Sequence, residues 1–388
     1  MSLSRTPSFQ QLQLSLNKNL SNHIRPSHMK RKTKVLICYN KLWDYRIPIF
    51  KLLAEKYELS VSYSYKNNKI NNDNSGYNFR SFFLPILQYG RFVIHKDNLY
   101  KIAKEYNVVI GYGDIAWLSL MKLLFIKRDF KLILWSIGVS ASYKKKFDVV
   151  THWEKIRNFF YKKADALLFY SEYPIQKYIA SDFDKKKLFV AHNTVEVLPS
   201  ELANGKKKRI IFIGSLYKEK KIYSLLYSYL KAYSVEQNIP QLDIIGDGEE
   251  FDNIKSWISI NGLNEMIFLY GAIYEEPKLK ELFAHAIACI SPGQAGLSVL
   301  KSMGYGVPFI SLNDAITGGE RFNIENYITG ILYEKESELV DIIIDIHNNN
   351  EKYLIMGKRA KDHYESSRKP IDMTQGIIDA IEYVLNAD

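Results

Sequence analysis

The chain has 388 residues, 47% hydrophobic and 24% charged. That balance favours two globular domains and excludes collagen-like, disordered and disulfide-scaffold classes. The formal net charge of +11 is unevenly placed: residues 1–200 hold 33 Lys+Arg against 15 Asp+Glu, whereas residues 201–388 hold 20 against 27. The first half therefore faces either an anionic partner or only water. Cys38 and Cys289 each sit in an apolar run and read as buried thiols rather than a bridge or a metal site. No apolar stretch reaches the roughly 18 uncharged residues of a membrane span. The N-terminus lacks the apolar core of a secretory signal, so a cytoplasmic protein is expected.

Residues 1–33 carry no periodicity and read as a flexible tail. A strand follows over 34–39 (KVLICY), then a helix over 47–56, then an alternating strand, ELSVSYSY. Short apolar runs recur at NVVIGYG, FKLILWSIG, ADALLFYS and KLFVAHN, each separated by a helix-like stretch. Residues 198–208, with Pro199 and Gly205, interrupt the rhythm as a linker. It restarts at RIIFIGS and continues through QLDIIGDG, EMIFLYG, AIACISPG, VPFISL and GILYE. The expected fold is α/β, with two doubly wound Rossmann-like domains, 34–197 and 209–369, facing across a cleft. In the last segment, 370–388, Met373, Ile377, Ile378, Ile381 and Val384 share one helical face.

Three strand exits carry the chemistry. In SPGQAGLSVLKSMGYG (291–306), an apolar strand ends in glycines and a helix starts. Such a place offers bare backbone amides to an anion at the carboxyl end of a strand. A tight turn fits the same residues. IGSLYKEKK (213–221) runs from Gly214 into Lys218, Lys220 and Lys221. Lysines there oppose the helix dipole and suit a diphosphate, or form a solvated cluster. Gly246-Asp247-Gly248 is a third glycine turn. No G-x-G-x-x-G is present, which argues against a dinucleotide-dependent dehydrogenase.

The order GSLYKEK, IIGDGEE, FLYG, then SPGQAGL with VLKSMGYGVPFIS resembles the carboxyl domain of glycosyltransferase family 4, of GT-B fold and bacterial surface-polysaccharide type. NKLWDYRIPIFKLLAE, VVIGYGD, LILWSIG and VAHNTV resemble the amino domain. The resemblance implies a hexosyltransferase, retaining and metal-independent. Its co-substrate would be a nucleotide sugar, with no other cofactor, and its acceptor a saccharide, polyprenyl-diphosphate-linked. It places Lys220 against the donor diphosphate. Gly214, Ser215 and Gly246 would contribute to the donor site, as would Gly293, Gln294, Ala295, Gly296 and Leu297. A GT-B epimerase shares the donor cleft and stays open as an alternative. A basic nucleic-acid-binding protein is the other alternative, but no exposed aromatic–basic pattern supports it.

This chain departs from the family's pattern at several points. The E-x7-E glutamates are Gly293 and Lys301, and the arginine before the lysine loop is Ser215. The W-x-H-G histidine is Ile137, next to Trp135 and Ser136, which stand as acceptor-side candidates with Arg46. Glu320, in TGGERFNI, is a candidate substitute carboxylate. Asp114 either orients an acceptor hydroxyl or caps a helix. His192 is either a substrate contact or a structural histidine. Asp182 and Asp184 match a D-x-D by chance in a surface loop. Finally, FFLPILQYGRFVIHK (82–96) and residues 117–128 are apolar, aromatic and flanked by cations, and the lysines at 144–146, 162–163 and 185–187 add positive charge to the same half. These features predict peripheral attachment to the anionic inner face of the cell membrane, although 117–126 also fits a buried helix.

Overall fold

Two parallel sheets organise the protein in a computed structural model that describes residues 32–66, 76–142, 146–200 and 207–387. Most of the expected tail, and residues 201–206 of the expected linker, lie outside the described residues, as do Lys144 and Lys145. The first sheet has seven strands, in the order Leu188–Val190, Ala166–Phe169, Lys131–Ser136, Val108–Tyr112, Lys34–Cys38, Glu58–Tyr63 and Arg80–Phe83. The second has six: Ile267–Gly271, Gln241–Ile245, Arg209–Ile213, Ala286–Ile290, Phe309–Leu312 and Gly330–Tyr333. Every strand pair within them is parallel.

The continuous apolar runs follow from burial on both faces of each sheet. Successive side chains of Lys34–Cys38 alternate between two cores. Val35 and Ile37 pack on one face, and Leu36 and Cys38 on the other. In-register pairing of Val35 with Leu59 and Val108 holds the strand inside the sheet, with a neighbour on each side.

The last helix, Pro370–Asn386, follows the carboxyl domain in sequence but packs on the amino domain. Met373, Ile377, Ile381 and Val384 join the core of Val35 and Ile37, while Ile378 is only partly covered. Gly376 lets the helix approach closely, since a Cβ there would lie 2.1 Å from the Val190 carbonyl.

The two apolar segments of the first half resolve differently. Residues 82–96 form the end of the edge strand and an antiparallel hairpin, Ile86–Tyr89 with Phe92–His95. This hairpin leaves Leu87, Tyr89 and Ile94 exposed. Residues 117–128 contain the helix Leu118–Leu123, whose Leu120, Met121 and Leu123 are buried against the sheet. That segment is therefore mainly a core element. No helix among the described residues is long and apolar enough to cross a membrane.

Candidate active site

A cleft of about 1360 Å³ runs between the two domains and is lined from both. On the carboxyl-domain side, three strand exits converge. Arg209–Ile213 leads into Gly214 and the turn Lys218–Lys220, Gln241–Ile245 into Gly246, and Ala286–Ile290 into residues 291–297. They are clipped together by backbone bonds: Gly214 N–H to the Ile245 carbonyl at 3.0 Å, Leu216 N–H to Asp247 at 2.9 Å, and Gly293 N–H to Lys220 at 3.1 Å. Close approach explains two of the glycines. A Cβ on Gly246 would sit 1.8 Å from the Gly214 carbonyl oxygen, and one on Gly293 2.4 Å from that of Glu219.

This packing revises the reading of Gly293 and Ala295 as anion contacts. The Gly293 amide is spent on Lys220, and the Ala295 amide on Ile316 at 2.9 Å. Ala295 is fully buried, and neither residue lines the cleft. Gly214, Ser215, Gly246, Gln294, Gly296 and Leu297 do line it. Val299 is the first residue to bond back into its own turn, N–H to the Gly296 carbonyl at 2.9 Å. The amides of Gly296, Leu297 and Ser298 therefore precede the helix's own bonding at the cleft wall.

Lys220 closes this wall. After it the chain turns through Lys221 at a φ of 54°, and the Lys220 ammonium returns over Gly214, 3.4 Å from where a Cβ would stand. Burial pushes its pKa down to about 8, with Glu320 pulling the other way. Among the described residues no carboxylate reaches it within 4 Å. A partly desolvated cation with no carboxylate partner thus stands beside amides that the helix's own bonding does not use, an arrangement whose chemistry suits an anion.

Glu320 is buried at the domain junction. Its carboxylate accepts from Gly318 N–H at 2.7 Å, from the Thr317 hydroxyl at 3.1 Å and from Asn193 Nδ2. Lys301 lines the cleft paired to Glu276, whose other oxygen accepts from Tyr305 Oη at 2.9 Å.

Two acceptor-side candidates, Arg46 and Trp135, are almost wholly buried, and His192 stands apart from the cleft. Arg46 is 1% exposed. Its guanidinium donates to Asn193 Oδ1 at 2.6 Å, Met373 Sδ at 3.0 Å and Tyr39 Oη at 3.3 Å, so although it borders the cleft it is held from within the protein. Trp135 is buried behind the wall, and only Ser136 reaches the cleft, at 2.9 Å from Tyr161 Oη. His192 lies off the cleft, 3.9 Å from Glu172, and burial with Arg368 and His363 nearby pushes its pKa down to about 4. Off the cleft and biased towards its neutral form, it fits the structural alternative.

Asp114 lines the cleft while one of its oxygens accepts Ala116 N–H at 2.9 Å. Asp182 is fully exposed beside Lys162. Arg91, Arg157, Asn193 and Glu276 line the cleft without having been singled out by the sequence. Asn193 stood in a quoted motif, VAHNTV, and Arg91 within the quoted apolar segment 82–96.

Residues 195–363 match the family model described as glycosyl transferases group 1. The chain is 24% identical over 290 residues to an uncharacterized glycosyltransferase, MJ1069, of Methanocaldococcus jannaschii, spanning 68% of this chain and 71% of that one. The fold is similar to Anabaena HepE, solved with UDP and glucose, at a TM-score of 0.67 and 14% identity, covering 90% of this chain and 99% of that one. It is also similar to the lipopolysaccharide outer core galactosyltransferase WaaB, at 0.62 and 16%, with the same coverage. The chain is a glycosyltransferase of GT-B fold. Its carboxyl-domain wall, with Lys220 and the Gly296 turn, falls within the matched region.

Proposed function

We propose that this glycosyltransferase moves a hexose from a nucleoside diphosphate sugar to a lipid-linked saccharide of a surface polysaccharide, with retention of anomeric configuration and without a metal. The observation that carries the donor reading is Lys220, unpaired and partly desolvated over Gly214 on the cleft wall. Breaking the bond between the sugar's anomeric carbon and the diphosphate oxygen leaves negative charge on that oxygen. The Lys220 ammonium and the amides of Gly296 and Leu297 are placed to meet it. The likeness to a fold solved with UDP and glucose supports a uridine nucleotide as the first donor to try. Glu276, anchored by Lys301 and Tyr305, stands on the same wall as a hydrogen-bond acceptor for donor hydroxyls.

The acceptor reading draws on the basic amino half and on the exposed Leu87, Tyr89, Phe125 and Phe159 beside Arg91 and Lys163. Such a surface suits an anionic bilayer carrying the acceptor. The experiment is incubation with radiolabelled UDP-glucose, UDP-galactose and UDP-N-acetylglucosamine, with and without membrane lipid extract. Label transferred to lipid with release of UDP supports the reading. A donor returned as its epimer would replace it with the epimerase alternative.

A further inference from the structure

The amino-domain rim of the cleft carries cations that the donor reading does not use. We infer that Arg91, Arg157 and the first turn of the helix His152–Tyr161 form a second anion site, which takes a phosphate ester belonging to the acceptor. This inference rests on the transferase reading, since it is the transfer that requires an acceptor.

Thr151, Trp153 and Arg157 from this helix line the same cleft as Arg91. The Arg91 guanidinium lies over the Trp153 ring at 4.3 Å. Stacking fixes the plane of a guanidinium and leaves its edge free to donate. Among the described residues no carboxylate stands within 4 Å of Arg91.

Arg157 is largely covered, with 14% of its side chain exposed. Among the described residues the carboxylate within 4 Å of it is that of Glu154, at 4.0 Å, which is held more closely by Lys177 at 2.9 Å. Its buried Nε has no hydrogen-bond partner, while another of its donors is taken by Tyr178. A buried guanidinium with spare donors is costly unless something completes it.

The helix adds to this. It is ten residues long, the Thr151 side chain does not cap it, and the Glu154 carboxylate of its first turn is paired with Lys177 at 2.9 Å, which leaves the amides of His152 and Trp153 and the positive dipole end to favour an anion. The acidic groups on this wall are occupied locally. Asp114 accepts from Ala116 N–H, and Asp44 from Tyr45 N–H at 3.0 Å. Two guanidinium groups, one stacked on Trp153 and one four residues further along the same helix, suit the several oxygens of a phosphate better than a single carboxylate. The exposed apolar side chains of Ile156 and Phe159 continue outward along the helix, so the phosphate could come from a soluble ester or from a lipid headgroup.

The test titrates phenyl phosphate into protein already saturated with UDP, followed by calorimetry. One equivalent is expected to bind in addition to UDP, and Arg91→Gln and Arg157→Gln each to weaken it about tenfold or more. Arg91 is exposed, so its variant keeps the test valid should Arg157→Gln misfold. A parallel arm measures sedimentation with phosphatidylcholine vesicles with and without phosphatidic acid. Binding confined to the phosphatidic acid vesicles, and lost in the same variants, assigns the phosphate to a lipid. Binding of phenyl phosphate assigns it to a soluble or detachable ester. The inference is overturned if phenyl phosphate only competes with UDP and neither variant alters vesicle binding, or if both variants bind as the parent does. Absence of UDP binding would remove the donor reading alone, because phenyl phosphate titrated without UDP still reports on the arginines.

Discussion

Asn193 joins Arg46 to Glu320, its Nδ2 donating to the Glu320 carboxylate and its Oδ1 accepting from the guanidinium at 2.6 Å. One neutral amide thus connects a buried cation of the amino domain to a buried anion of the carboxyl domain. It keeps each supplied with a partner without drawing the two charges into direct contact. Removing the amide leaves both under-bonded at a largely buried edge of the cleft. Asn193→Ala is expected to lower the unfolding free energy by about 2–4 kcal/mol and to reduce turnover. Urea denaturation reads the first effect, and a parent-like midpoint and slope would remove Asn193 from this role.

Lys220 makes opposite predictions for activity and for stability. Loss of a donor aimed at the leaving oxygen costs about 2.7–4 kcal/mol of barrier, so Lys220→Ala should lower kcat by two orders of magnitude or more. The folded pKa, about 8, lies below the ordinary 10.5. The protonated lysine therefore costs native stability below pH 8, and that cost fades between pH 8 and 10.5. Lys220→Met should stabilise the free protein at pH 7 by about 1 kcal/mol, discounted for the part of the side chain open to the cleft, and the gain should vanish towards pH 10. UDP affinity in the parent should fall as pH rises past 8. An affinity flat from pH 7 to 9.5 would show that the ammonium does not meet the diphosphate.

Gly293 is a test of how the donor wall is assembled. A methyl group there would stand 2.4 Å from the Glu219 carbonyl and 2.6 Å from the Lys220 carbonyl carbon. Relief requires the Lys218–Lys220 turn to move off the Gly293 loop, and overpacking of this kind costs about 1–3 kcal/mol. Gly293→Ala should therefore weaken UDP binding about tenfold or more by displacing Lys220, although residue 293 is not itself on the cleft wall. Calorimetric titration with UDP decides it. Unchanged affinity would mean that the loop absorbs the methyl group without moving the lysine.

The fold was largely legible because burial on both faces turns each parallel strand into a short apolar run. RIIFIGS, QLDIIGDG and AIACISPG all became sheet strands for that reason. The hairpin at Ile86–Tyr89 and Phe92–His95 was harder, since its exposed Leu87 and Tyr89 imitate a membrane-seeking segment as well as a surface ribbon. In the site, a glycine at a strand exit does not say what approaches it. Gly246 and Gly293 accommodate the chain's own carbonyls rather than an anion. Arg46 looked like a loop cation, and only the tertiary structure reveals that Tyr39, Asn193 and Met373 enclose it. Arg91 and Arg157 belong to no motif, and their convergence depends on how the hairpin and a distant helix are packed.

Lys301 and Glu276 form the pair in which this chain departs most from the pattern its sequence resembles, for a lysine occupies the place of a glutamate. The carboxylate beside it comes from a different helix, Glu276–His285, and is held by Lys301 and by Tyr305 Oη. Lys301→Glu would set two carboxylates against each other on a partly buried wall, and Glu276→Lys would do the same with two ammonium groups. Each should weaken UDP binding and lower stability by about 1–3 kcal/mol. The charge-swapped double variant restores the pair with its sign reversed along the wall and should recover most of the stability. Affinity should return only if the ligand accepts a carboxylate presented from position 301. A complete double-mutant cycle measured by urea denaturation gives the coupling energy. Strict additivity of the two single changes would mean that the contact contributes nothing to the native state.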